Sequence, residues 1–313
     1  MKKLIFNAFA FKEEFKNSPQ LGGKVSSKTI DTYMKNIYVS LKSAKVYNPQ
    51  DDVALITNSK IPKQYADLFA KNNIQLFVIP FEDFIMPSKF AWALAFFKLC
   101  ALKYVVENLD YEKYLLIDAD TVTVAAYNEL WQECEYGLML YNVGHSIGHR
   151  ERQFIIRDYK KLYPLENKNI IHYGGEFVAG TRDNFKIFMQ RAEGVYNKIC
   201  ENDYNVADNI GDETITSIVA SYMENVVPAN PYICRYWTGR FYLVSTNHKY
   251  NPVVIWHIPN EKENGFLKIF DYLLKKNRLP SNEKMAQILG LPNTKRIFYG
   301  CYVIKAGIKK ILG

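Results

Sequence analysis

The chain has 313 residues, 48% of them hydrophobic and 23% charged, with a formal net charge of +8. That balance suits a chain with a sizeable buried core and excludes a disordered or low-complexity one. No run of about 18 apolar residues is free of charge, so no transmembrane helix is predicted, and Met1 to Phe11 has neither the long apolar region nor the small-residue cleavage site of a signal peptide. In chain order, Lys3 to Phe9 reads as a buried strand. Thr29 to Lys45 reads as a helix with apolar positions at Tyr33, Ile37, Val39 and Leu41. Asp52 to Thr57 is a second strand, ended by Asn58-Ser59, and Pro62 opens a helix to about Asn72. Ile74 to Ile79 is a third strand, Phe90 to Glu107 a long apolar helix, and Tyr114 to Ile117 a fourth strand. Shorter strands follow near Gly137–Tyr141 and Glu176–Ala179, with helices around Phe185–Cys200 and Glu213–Tyr222. Asn142 to Asn169 reads as a loop-rich insertion.

Strands that alternate with helices predict an α/β fold, a mostly parallel central sheet flanked by helices. Ligands of such sheets sit outside the carboxyl ends of the strands. Residues 1–260 are expected to form one domain, with 1–124 as its regular α/β half and 125–260 as a smaller, more mixed half. Residues 261–313 are expected to be a helical tail. Cys100, Cys134, Cys200, Cys234 and Cys301 show no C-x-x-C spacing, which argues for reduced thiols in a cytoplasmic protein and against a disulfide framework or zinc site. The positive charge admits nucleic acid, an anionic membrane surface or phosphorylated substrates as partners. No nucleic-acid-binding motif is present, so no nucleic acid partner is expected. Between 295 and 313 the tail carries Lys295, Arg296, Lys305, Lys309 and Lys310 among bulky apolar residues and no acid. This pattern fits a peripheral helix on the inner face of a membrane, or an ordinary terminal helix docked on the core.

The strand Tyr114 to Ile117 ends at Asp118-Ala119-Asp120. On an extended backbone the two aspartates project to one side, and paired carboxylates repel unless a cation joins them. A hard divalent ion, Mn²⁺ or Mg²⁺, suits such oxygens. On phosphate oxygens it would stabilise a departing nucleoside diphosphate as a Lewis acid. The alternative is a pair of solvated turn carboxylates.

Three further segments bear on the same chemistry. His172-Tyr173-Gly174-Gly175-Glu176-Phe177-Val178-Ala179-Gly180-Thr181 contains adjacent glycines, which let another group approach the backbone or mark a bulge. Gly211-Asp212-Glu213-Thr214 precedes an apolar helix, where Asp212 could also serve as N-cap and Glu213 as a first-turn acid. Val254-Ile255-Trp256-His257-Ile258-Pro259 ends an apolar strand on a histidine, a natural partner for two carboxylates on Mn²⁺, or else a buried core residue.

Phe97-Lys98-Leu99 with Tyr114 to Val124 resembles the lysine helix and Asp-x-Asp strand of glycosyltransferase family eight, which includes glycogenin and bacterial lipo-oligosaccharide galactosyltransferases. The glycine strand and Asp212-Glu213 are similar to motifs of family six, the α1,3-galactosyl and blood-group transferases. The resemblance implies a GT-A fold and retaining transfer of a hexose, galactose or glucose, from a UDP-sugar donor. The acceptor would be a glycan or lipid-linked oligosaccharide of bacterial surface-polysaccharide synthesis. It implies Asp118, Asp120 and His257 as metal ligands. Donor contacts would come from Asn7, Ala8, Lys98, Ala119, Gly174 and Gly175, with Tyr33 or Asn36 near the base. Asp212 would hold sugar hydroxyls and Glu213 would face the anomeric carbon. Family eight continues after its histidine with glycine and a Lys-Pro-Trp run. Here Pro259-Asn260-Glu261-Lys262 follows instead, and Lys262 stands in for the diphosphate lysine. His145, His149, Arg150 and Arg152 are further candidates for donor, acceptor or phosphate contacts. A sugar-nucleotide nucleotidyltransferase would place a glycine-rich phosphate loop after the first strand, and Asn7 to Phe15 has none. A non-catalytic carbohydrate- or nucleic-acid-binding protein is the remaining alternative.

Overall fold

The computed structural model describes residues 2–12, 27–207, 209–238, 248–249 and 251–291. Runs of β-branched and aromatic residues build strands β1 (Lys3–Phe9), β2 (Asp52–Thr57), β3 (Ile74–Val78) and β4 (Lys113–Ile117). Helices α1 (Ser27–Tyr47), α2 (Lys63–Lys71) and α3 (Phe97–Asn108) separate them. β5 (Thr121–Thr123), α4 (Asn128–Glu133), β6 (Leu138–Asn142), α5 (Arg150–Leu162), β7 (Tyr173–Thr181) and α6 (Arg182–Glu201) follow. The described chain ends with α7 (Asp212–Ala220), β8 (Val226–Pro228), β9 (Ile233–Arg235), β10 (Ile255–His257), α8 (Gly265–Lys276) and α9 (Asn282–Ile288).

A seven-stranded sheet runs in the order β3-β2-β1-β4-β7-β6-β8. It is parallel except for β7, which lies antiparallel to both β4 and β6. Ile5 pairs with Val53 on one side and Leu115 on the other, so the centre of the sheet is apolar on both faces. α6 packs against both α3 and α7, while α1 packs with α8 and against β1 and β2. Tyr38 of α1 meets Phe270 of α8 edge-on at 5.5 Å, so the first tail helix is tied to the body of the protein. The membrane-binding reading of 295–313 falls outside the described residues.

A second, three-stranded sheet, β5-β10-β9, stands beside the carboxyl end of β4. The chain leaves the large sheet at Ile117 and enters the small one at Thr121. Asp118 and Asp120 therefore occupy the turn between two sheets. The turn closes with Thr121 N–H donating to the Asp118 carbonyl at 3.2 Å. The backbone is not the extended one that alternation assumed; the turn delivers both carboxylates to one cleft instead.

The structure departs from the sequence reading at three other places. The long helix expected from Phe90 begins as a 3₁₀ turn, Ala93–Phe96, before α3. β7 extends through both glycines instead of starting at Glu176. The segment read as a loop contains α5, capped by His149 Nδ1 accepting from Glu151 N–H and burying Ile155, Tyr159 and Leu162. Its charges had obscured a helical period of apolar positions.

Phe185 of α6 is fully buried, with its ring 5.5 Å from that of Tyr114 of β4. Phe185→Ala is expected to lower unfolding stability by about 3–5 kcal/mol in urea titrations, since the cavity collapses only partly.

Candidate active site

A cleft of about 690 Å³ opens where the two sheets meet, and Asp118, Ala119, Asp120, Asp212, Glu213, His257, Lys98 and Lys262 all line it. Local sequence explains the convergence. The β4–β5 turn carries the aspartates, and β10 pairs antiparallel with β5, which sets His257 opposite Thr121. Ile258 N–H then donates to the Asp120 carbonyl at 2.9 Å. Asp212 and Glu213 form the first turn of α7, with Gly211 rather than Asp212 as N-cap.

His257 Nε2 lies 3.3 Å from Asp120 Oδ1, and Lys262 Nζ lies 3.1 Å from Asp120 Oδ2. That Oδ2 is buried and makes an ion pair but no hydrogen bond. Single ligand atoms from Asp118, Asp120 and His257 come within 4.8 Å of one another. Two carboxylates and one imidazole gathered so closely fit a divalent cation such as Mn²⁺. Lys98 Nζ bridges Asp118 Oδ1 at 2.7 Å, Asp212 Oδ2 at 3.3 Å and the Gly175 carbonyl at 3.0 Å.

Deeper in the cleft, residues that the sequence reading had not assigned a role hold the first turn of α7. Glu213 Oε2 meets His172 Nε2 at 2.9 Å; Oε1 accepts from Gly175 N–H and from Arg235 Nη2, both at 3.2 Å. Arg235 also makes a two-pronged pair with Glu176, each contact at 2.6 Å, and Glu176 Oε1 accepts from His257 Nδ1 at 3.1 Å. The only sequence signal for these residues is a charge in an otherwise apolar or small-residue strand, at Glu176 and again at Arg235. Spacing does not reveal that the two meet.

The adjacent glycines now have a physical reason. A Cβ on Gly174 would stand 2.0 Å from Glu176 Oε2, and one on Gly175 would stand 2.0 Å from Asp212 Oδ2. The groups that approach this backbone are the protein's own carboxylates. Neither glycine is among the cleft-lining residues, and neither is Asn7. The Asn7 amide is fully buried and donates to the Ile117 carbonyl at 2.7 Å and to Ser40 Oγ at 3.3 Å, so it braces the strand end that presents Asp118. Asn36 is likewise fully buried and does not line the cleft, whereas Ala8 and Tyr33 do. His145 and His149 line the cleft too. Arg152 instead braces the loop through the carbonyls of Ile170 and His145, and Arg150 sits over the Phe154 ring.

Burial would raise the Asp120 carboxyl, but Lys262 and His257 outweigh it and hold it well below the usual range. Glu176 is held low in the same way, by Arg235 and His257 against burial. Glu213 is also lowered, by His172 and Arg235 against its burial. Asp212 goes the other way: burial pushes it up to about 6, with Glu213 and Asp118 adding to the rise and Lys98 opposing it. His257, despite burial, is raised to about 9 by Asp120 and Glu176. Side by side, Asp212 and Glu213 are thus tuned apart, one towards the neutral acid and one towards the permanent anion.

No protein-family model matches this chain, and no curated protein sequence matches it significantly. Its likeness to known proteins is in three dimensions. The crystal structure of galactosyltransferase LgtC in complex with donor and acceptor sugar analogs aligns with a TM-score of 0.56. That alignment covers 95% of this chain and 99% of that one at 15% identity. An active-site glutamine-to-glutamate variant of LgtC aligns with a TM-score of 0.55, over 90% and 99% of the two chains at 14% identity. The protein has the GT-A fold of these structures, the fold class expected from its strand and helix order.

Two measurements test this geometry. Gly175→Ala should cost about 1–3 kcal/mol by overpacking against Asp212. Gly194→Ala, in α6 with nothing within 4 Å of the new methyl, should stabilise by roughly 0.5–1 kcal/mol; urea denaturation reads both. Burial, then His172 and His149, depress His145 to about 4 from the ordinary imidazole value of 6.5. Between these values the unfolded chain binds the extra proton, so stability should fall as pH drops from 6.5 towards 4. His145→Gln should flatten that slope in denaturation curves taken across the interval.

Proposed function

We propose that the protein is a divalent-metal-dependent glycosyltransferase that moves a hexose from a UDP-sugar to a hydroxyl of a glycan or lipid-linked acceptor. The observation that carries this reading is the Asp118–Asp120–His257 cluster at the junction of the two sheets, facing Asp212 and Glu213 across one cleft in a GT-A fold. The galactosyltransferase structure that shares the fold was solved with donor and acceptor sugar analogs, which supports the choice of substrates.

Asp118, Asp120 and His257 would hold the cation. Bound there, it supplies Lewis-acid stabilisation of the charge that builds on the departing diphosphate. Lys262, at the same carboxylate, adds a second positive charge to the diphosphate side of the cleft. Glu213 stays ionised because His172, Arg235 and the Gly175 N–H fix both its oxygens, so it offers a preorganised negative charge to an oxocarbenium-like centre. Asp212, pushed up to about 6 by burial and paired with Lys98, is still mostly ionised at neutral pH and would accept a hydrogen bond from a sugar hydroxyl. Retention of configuration follows from the resemblance to families eight and six. Residues 125–260 supply Glu213 and the cleft wall formed by His145, His149 and Trp237, which we assign to the acceptor.

Among the described residues no helix is long and apolar enough to cross a membrane. We place the protein in the cytoplasm, with its basic, aromatic segment 295–313 docked on the anionic inner face of the membrane, where surface polysaccharide such as capsule or lipopolysaccharide is assembled.

Purified protein assayed against a panel of UDP- and GDP-sugars, with and without Mn²⁺, should hydrolyse or transfer only with metal present, and fastest from a UDP-hexose. Asp120→Asn should lower kcat by about 10³-fold or more with unchanged circular dichroism. Full turnover by that variant would refute the metal reading. Removal of residues 295–313 should release the protein from phosphatidylserine vesicles in sedimentation assays, and unchanged binding would refute the membrane reading.

A further inference from the structure

We infer that Glu176 and Arg235 form a positioning pair that mechanically couples the metal ligand His257 to the candidate catalytic carboxylate Glu213. The inference rests on the proposed metal site and adds to it residues outside the ligand set. Glu176 is 1% exposed and comes from β7 of the large sheet, whereas Arg235 and His257 come from β9 and β10 of the small one. Glu176 Oε1 accepts from both Arg235 Nε and His257 Nδ1, and its Oε2 accepts from Arg235 Nη2. With Nδ1 committed to Glu176, His257 directs Nε2 at Asp120 and the metal site. A carboxylate behind a ligating imidazole fixes its tautomer and ring orientation in this way.

The same Nη2 of Arg235 reaches Glu213 at 3.2 Å. One guanidinium therefore spans the carboxylate behind the metal ligand and the carboxylate facing the sugar. Arg235 is itself held: its guanidinium lies 6.0 Å from the rings of both Tyr141 and Trp237, and its backbone N–H donates to Tyr141 Oη at 3.3 Å. Gly174 is part of the device, since any β-carbon there would displace Glu176 Oε2 and crowd Arg235 Nη2. Stability alone does not account for the arrangement, because well-packed apolar side chains are commonly as stabilising as a buried ion pair or more so. Positioning does account for it: a rigid bidentate fork holds both carboxylates at fixed distance.

The test uses the full chain and Mn²⁺ alone, with free Mn²⁺ quantified by electron paramagnetic resonance in the absence of donor. Glu176→Gln should weaken Mn²⁺ binding by roughly 10- to 100-fold. Gly174→Ala, which keeps every charge and only pushes the pair aside, should weaken it in the same direction, while Gly194→Ala should match the wild type. At Mn²⁺ concentrations that saturate each variant, kcat for UDP-sugar hydrolysis should remain depressed at unchanged donor KM, because Arg235, one of the three groups that fix Glu213, is no longer anchored by Glu176. A merely structural role would lower the melting temperature without moving the Mn²⁺ dissociation constant. Wild-type Mn²⁺ affinity in either folded variant would overturn the coupling and leave the metal site standing. No Mn²⁺ binding by the wild type itself would overturn both.

Discussion

The structure around the cleft depends on one electrostatic constraint: carboxylates that repel one another are held together at the seam of two sheets by interleaved cations. Asp118, Asp120, Glu176, Asp212 and Glu213 arrive from a turn, a strand and a helix, and all line the same cleft. Taking such charges out of water is costly unless each is paired and hydrogen-bonded. Lys98, His257 and Arg235 each meet that requirement from between two acids, while Lys262 pairs with Asp120 and His172 hydrogen-bonds Glu213. Lys98 joins Asp118 of the turn to Asp212 of the helix, and Arg235 joins the two glutamates. The pKa directions follow from this interleaving. Asp120 and Glu176, each with two cationic neighbours, are held low against burial, and Asp212, with one cation beside two acids, is raised chiefly by its burial.

The fold supplies the geometry that makes the constraint solvable. The chain crosses from β4 to β5 in one turn, so the acidic pair is fixed at both ends by ladder hydrogen bonds of different sheets. β7, the one reversed strand of the large sheet, brings Gly174 to Glu176 past that turn, and Asp118 N–H donates to the Glu176 carbonyl at 3.1 Å. Glycine at 174 and 175 is then needed for side-chain room rather than backbone conformation. Two carboxylates occupy the space where β-carbons would be. A site built on strand ends and the first turn of a helix is more rigid than one on free loops, which suits chemistry that depends on preorganised charge.

Much of the architecture was legible before any coordinates. The first four strands declare themselves because each is a short apolar run bounded by turn residues, and buried parallel strands have no polar face to confuse the pattern. α5 did not, since its apolar positions Ile155, Tyr159 and Leu162 are diluted by five basic residues between Arg150 and Lys161. The Asp-x-Asp pair, His257 and Glu213 were legible because each follows or opens a recognisable element. Glu176 and Arg235 were not. A lone charge in a strand reads as an anomaly until its partner, 59 residues away, is seen beside it.

The sequence alone thus determined which segments form strands and which strand end carries the Asp118–Asp120 pair, because those properties reside in neighbouring residues and their periodicity. Only the tertiary structure decided that β10 returns to set His257 against Asp120, that β7 runs backwards, and that one arginine bridges two distant glutamates. Those facts depend on strand order and on side-chain distances between segments far apart in the chain. Local composition carries neither kind of information, because a buried charge is specified by the partner that neutralises it and not by its neighbours in sequence.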